Sequence, residues 1–203
     1  MRIKYNAPVI LTFTFISLAV LLLSQYVIPW LTPQWFTVPG RPGFHPSSPQ
    51  SWVTIFTFVI GHDGWDHFLG NFAMILLIGP ILEEHYGSIP LLIMMMITAV
   101  VTGLLNTFLF STGLLGASGI VFMMILMASF TNFDRGEIPL TFILIVVIYL
   151  GQEIFNAFAE DSISQFAHLV GGLCGSLFGF IRHRSTVLPA KSKHPIDPSD
   201  IIV

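Results

Sequence analysis

Apolar residues dominate six stretches of this chain, at about 8 to 30, 67 to 83, 89 to 110, 116 to 132, 138 to 158 and 165 to 182. Each approaches the ~20 residues that a helix needs to cross the hydrocarbon core of a bilayer. The pattern predicts an all-α membrane protein, a six-transmembrane-helix bundle over residues 1–184, followed by a polar tail at 185–203. Pro189, Pro195 and Pro198 in that tail favour a flexible cytoplasmic end. The first stretch follows Arg2 and Lys4, as a signal peptide would. Its apolar run is longer than a signal's and no small-x-small site follows, so it is expected to be retained.

The longest connection covers residues 31–66. Prolines 33, 39, 42, 46 and 49 break its first half, while Trp52, Ile55, Phe56 and Val59 recur at i, i+3, i+4 and i+7. That spacing predicts a short helix lying in the membrane interface with those four residues on its apolar face; an ordinary connecting loop is equally compatible with it.

Composition agrees with the pattern. Hydrophobic residues make up 54% of the chain and charged ones 9%, against the roughly 25% charged content of soluble domains. Mean hydropathy is +0.80. The single Cys174 falls in the sixth stretch, which excludes a disulfide framework and a cysteine-based metal site. No internal repeat, phosphate-binding loop or nucleic-acid motif is visible, and the H-E-x-x-H helix of metal-dependent intramembrane proteolysis is absent. No metal or cofactor is implied.

With six spans both termini share one side. That side receives Arg2, Lys4, Arg135, Arg182, Arg184, Lys191 and Lys193, leaving Arg41 opposite, so both ends are expected in the cytoplasm. The second, fourth and sixth spans then begin at the external leaflet. His67 and Asn71 open the second, Ser118 opens the fourth and His168 comes early in the sixth, at similar depth.

Polar side chains inside a span are costly and usually face the bundle interior or a wet cavity. Ser118 alone could be a packing serine. Gly116 before it permits the turn into the helix and Gly119 after it admits a close backbone, which leaves the hydroxyl at a helix N-terminus suited to a developing oxyanion. Ile120 stands where the G-x-S-x-G elbow has its second glycine, so the α/β-hydrolase arrangement fails. Gly171, Gly175 and Gly179 form a small-residue stripe on the helix face that carries His168 one turn earlier. If that stripe packs on the fourth span, His168 comes within reach of Ser118 as a general base. His67 and Asn71, spaced i, i+4, present two donors for the oxygen of a tetrahedral intermediate. Each of these features also has a plain packing role.

Together the residues resemble the rhomboid family of intramembrane serine proteases. The resemblance rests on the six spans, the H-x-x-x-N of His67 to Asn71, the G-x-S-G of Gly116 to Gly119, and the A-H-x-x-G-x-x-x-G of Ala167 to Gly175. It implies Ser118 as nucleophile, His168 as general base, and His67, Asn71 and the Ser118 backbone N–H as the oxyanion site. Phe122 matches an aromatic that packs against the catalytic imidazole and is often tyrosine in relatives. Single-span membrane proteins that unwind at small or helix-breaking residues are the implied substrates, met within the lipid bilayer, with entry expected between the second and fifth spans. A prokaryotic plasma membrane is the expected location, and neither substrate nor oligomeric state is named by the sequence. Three features depart from the pattern: Trp52-Val53-Thr54 replaces a Trp-Arg in the external loop, Glu83-Glu84 holds the place of one glutamate, and His85 that of a basic residue. His62 resembles a further family histidine, with a solvated or structural role, and Glu153 could face a wet cavity or pair within the bundle. The alternative function is that of a catalytically silent relative that binds and escorts transmembrane helices. Such relatives generally lack the serine or the histidine, and this chain has both.

Overall fold

The computed structural model describes residues 4–130, 140, 143–144, 147–148 and 162–187. In chain order the elements are α1 (Pro8–Tyr26), α2 (Leu31–Trp35), α3 (Pro49–Thr57) with a 3-10 turn at Phe58–Ile60, α4 (Trp65–Tyr86), α5 (Ser88–Leu109), α6 (Ser118–Phe130) and α7 (Ser162–Val187). Among the described residues there is no strand; one antiparallel bridge joins Val38 to Leu114. Helices α1, α4 and α5 are long and apolar enough to cross a membrane, and α6 and α7 contain shorter apolar stretches at Ser118–Ser129 and Phe166–Ile181. Most of the expected fifth span lies outside the described residues, as do Gln152, Glu153, Glu160, Asp161 and the tail from 188 on. The first apolar run ends as a helix at Tyr26 rather than at residue 30, and the chain then turns into α2.

Pro8 opens α1, where its missing N–H costs nothing. The free N–H groups that follow are taken by Glu83 near the end of α4: Val9 donates to Oε1 at 3.0 Å and Ile10 to Oε2 at 3.1 Å. The Ser88 hydroxyl adds a third bond at 2.7 Å. A carboxylate at a helix N-terminus also meets the positive end of the dipole. Of the Glu83-Glu84 pair, Glu83 is therefore the buried structural member and Glu84 the exposed one. Gly87, at φ +89°, makes the tight passage from α4 into α5 that only glycine adopts readily.

The α3 helix exists, but its four-residue apolar face is divided. Ile55 and Val59 are buried together with Ser51, Thr54 and Phe58, whereas Trp52 is 46% and Phe56 43% exposed. In a membrane an outward face is as apolar as an inward one, so periodicity alone does not separate them. Gly103 of α5 lets α3 settle, since a Cβ there would stand 3.0 Å from the Ile55 carbonyl oxygen. The connection between α1 and α4 is fastened without the missing arginine. Trp52 Nε1 donates to the Pro46 carbonyl at 3.0 Å, Gln50 to that of Gln34 at 2.6 Å, Arg41 N–H to that of Phe110 at 2.7 Å, and the Thr107 hydroxyl to that of Pro39 at 3.2 Å.

The centre of the bundle is α6, where Ile120 to Ile125 and Met127 are all buried, as expected of a helix hydrophobic all round. Against it lies α7, at backbone distance. A Cβ on Gly171 would be 2.0 Å from the Gly119 carbonyl oxygen, and one on Gly175 would be 2.2 Å from that of Met123.

Candidate active site

Ser118 is the first residue of α6 and is half-buried. The Ala117 carbonyl accepts the Val121 N–H at 3.0 Å and so starts the helical ladder. The N–H groups of Ser118, Gly119 and Ile120 precede it and point out of the helix end. Gly116, two residues earlier, has φ +109° and donates its N–H to the Phe58 carbonyl at 3.0 Å, so the 3-10 turn after α3 holds the lead-in to Ser118.

His67 lies in the first turn of α4 and packs its ring on Gly116: a Cβ on that glycine would meet His67 Nε2 at 2.5 Å. The glycine thus serves two ends, a positive φ and room for an imidazole. His67 Nδ1 faces Asp63 Oδ1 at 2.8 Å. Asn71, one turn on, is buried and its Nδ2 donates to the His67 carbonyl at 2.9 Å, which commits one amide hydrogen to its own helix.

On the other side of α6, the Ala167 carbonyl oxygen sits 3.2 Å from where a Cβ of Gly119 would be. That contact brings the second turn of α7, and with it the half-buried His168, to the N-terminal end of α6. The Phe122 ring lies flat on the His168 ring, with centroids 4.3 Å apart and planes at 8°. Residues from α4, α6 and α7 that are far apart in sequence are therefore collected at one end of α6. Among the described residues no group of three or more His, Cys, Asp or Glu side chains could hold a metal ion.

His62 is 1% exposed, which makes it a core residue rather than a solvated one. Its ring stands edge-on to His67 with centroids at 4.9 Å and touches Phe68 and Phe72, both at 5.5 Å. Burial first, and the neighbouring His67 second, push its pKa from 6.5 down to about 4, while the Ile60 carbonyl and Asp63 oppose the shift. The neutral ring donates Nδ1–H to the Ile60 carbonyl at 3.2 Å.

Two features escaped the sequence reading. Thr98, Thr102 and Asn106 form a buried polar stripe on α5. Thr98 donates to the Met123 sulfur at 3.1 Å and Asn106 Nδ2 to the Thr112 carbonyl at 3.2 Å. Thr102 Oγ1 lies 3.8 Å from the Cβ position of Gly119. Polar residues repeating every four positions in an apolar run were the available signal. The second feature is Asp63, whose signal was its place four residues before His67.

A family model described as the rhomboid domain matches residues 49–185. The chain is 20% identical over 143 residues to the Rhomboid protease GlpG of Haemophilus influenzae, an alignment that covers 69% of this chain and 74% of that protein.

Proposed function

The chain belongs to the rhomboid family, and on that premise we propose that it is an intramembrane serine endopeptidase. The helices of membrane-crossing length, together with the family, make it an integral multi-pass membrane protein. The observation that carries the activity is the glycine contact between α6 and α7, with Phe122 stacked on His168 beside the helix end that bears Ser118.

In the proposed reaction His168 takes the proton of the Ser118 hydroxyl as its oxygen attacks a peptide carbonyl. The resulting oxyanion is met by the Ser118 N–H at the positive end of α6 and by His67 and Asn71 from α4. His168 returns the proton to the departing amine, and water then opens the acyl-enzyme by the same route. Gly116, Gly119, Gly171 and Gly175 position these groups by letting backbones and the His67 ring approach. The flat Phe122 contact holds the imidazole without the hydroxyl a tyrosine would offer.

The substrates on this reading are single-span membrane proteins with a helix that unwinds near the external face. Both termini would face the cytoplasm of a prokaryotic cell, with residues 185–203 as a cytoplasmic tail. The deciding experiment is cleavage of a generic transmembrane substrate by the purified protein in detergent. Wild type is expected to cut and to take a fluorophosphonate label on Ser118, while folded Ser118→Ala and His168→Ala variants are expected to be inert. A wild type that neither cuts any of several substrates nor labels would move the chain to the helix-binding, catalytically silent class.

A further inference from the structure

The mechanism above makes no use of Asp63, yet its carboxylate is tied to one of the proposed oxyanion donors. Asp63 Oδ1 lies 2.8 Å from His67 Nδ1, on the side of the ring opposite the Nε2 that abuts Gly116. An ionised carboxylate only accepts hydrogen bonds, so Nδ1 must carry a proton. The neutral ring then has a bare lone pair on Nε2, the atom nearest the turn into Ser118. In that state His67 cannot donate to an oxyanion. It donates only when both nitrogens are protonated, and the bond it then makes is charge-assisted, roughly twice as strong as a neutral one.

The turn that carries Asp63 is held from three sides although the side chain itself is 73% exposed. Gln25, at the end of α1, donates to the Asp63 carbonyl at 3.3 Å. Trp65 Nε1 donates to the Tyr26 hydroxyl at 3.4 Å. His62 is locked in the core beside it, its ring edge-on to that of His67.

We propose, resting on the protease reading, that Asp63 is a positioning residue that, through its contact with Nδ1, fixes the His67 ring with Nε2 toward the oxyanion and pairs with the imidazole whenever it carries its second proton. An exposed ion pair contributes little to stability, so the variants should fold and melt close to wild type. Asp63→Ala is expected to lower kcat about tenfold or more while KM stays within about threefold, a smaller loss than the ~10²- to 10³-fold cost of removing a donor itself. Asp63→Asn, which keeps an oxygen acceptor without the charge, should fall between the two, and Asp63→Glu should recover part of the loss. In a His67→Ala background Asp63→Ala should change nothing further, because the two act as one unit.

A structural role would lower both backgrounds alike, and that result, or an Asp63→Ala enzyme retaining more than half of its kcat, would overturn the proposal. A second readout is independent of turnover: in ¹⁵N-histidine-labelled protein the His67 signals should show a protonated Nδ1 and shift in Asp63→Ala. Unmoved signals would overturn the proposal as well. Failure of the protease reading looks different, since there wild type itself neither cuts nor labels.

Discussion

Phe122 meets His168 face to face, and the pair decides how freely the imidazole can turn. The ring is buried, so Phe122→Leu removes the flat contact at modest cost in volume, whereas Phe122→Ala opens a cavity and would cost about 3–5 kcal/mol of stability. Phe122→Leu is therefore the informative change, and kcat is expected to fall about tenfold with little change in melting temperature. Phe122→Tyr keeps the ring and should retain most of the activity. Equal kcat for the leucine variant and wild type in the detergent assay would show that stacking does not orient the base.

His62 carries a second consequence at the same scale. Its folded pKa of about 4 lies below the ordinary 6.5, so between those values the unfolded chain binds the extra proton and the folded one does not. The stability that depends on a neutral His62 is fully present above pH 6.5 and is lost as pH falls toward 4, by at most about 3 kcal/mol. Thermal denaturation in detergent should show this loss, and His62→Leu should flatten that part of the profile relative to wild type. An identical pH dependence in the two proteins would remove His62 as its source.

Among the elements, the α6–α7 contact depends on glycine at two successive turns of α7. Gly171→Ala would drive a Cβ to 2.0 Å from the Gly119 carbonyl oxygen, and Gly175→Ala one to 2.2 Å from that of Met123. Backbone cannot yield as a side-chain tip can, so the helices must separate. Each variant is expected to lose about 1–3 kcal/mol and, because the separation falls between Ser118 and His168, most of its activity. Gly172 is the internal control. Its Cβ would touch Leu126 at an ordinary 3.9 Å, so Gly172→Ala should be neutral or gain up to about 1 kcal/mol from helix propensity. Melting temperatures of the three variants check the contrast.

That stripe was legible in the sequence because small residues four apart have few other uses in a span. The stretches that form α1, α4, α5, α6 and α7 were legible too, since apolar length is imposed by the bilayer, while most of the expected fifth span lies outside the described residues. What stayed hidden is the facing of each helix. Trp52 and Phe56 look outward while Ile55 and Val59 look inward, and lipid asks for the same side chains as a protein core. Thr102 and Asn106 were hidden for a related reason, since single polar residues in a long apolar run read as packing until their burial is known. The pairing of Asp63 with His67 required knowing that the turn at residue 63 closes back on α4.

Across the whole molecule, α4 joins two tasks at opposite ends. His67 sits in its first turn and Glu83 near its last, 16 residues or about 24 Å apart along the axis. Glu83 is 4% exposed and receives two backbone N–H groups of α1 and the Ser88 hydroxyl, so it fastens the start of α1 to the α4–α5 hairpin. Glu83→Ala would strand those buried donors and is expected to cost about 3 kcal/mol. Glu83→Gln keeps one good acceptor and should cost less, and Glu84→Ala, at an exposed position, should cost nearly nothing. Distance from the proposed chemistry sets the other half of the expectation: the fraction of Glu83→Ala that remains folded should cleave with the wild-type kcat, because nothing at the α6 N-terminus has moved. Folded fraction by thermal melt and kcat per fluorophosphonate-labelled molecule separate the two effects. A loss of kcat per labelled molecule would mean that the position of α1 reaches the site through α4, and that the bundle moves as one body rather than as a rigid site on an adjustable frame.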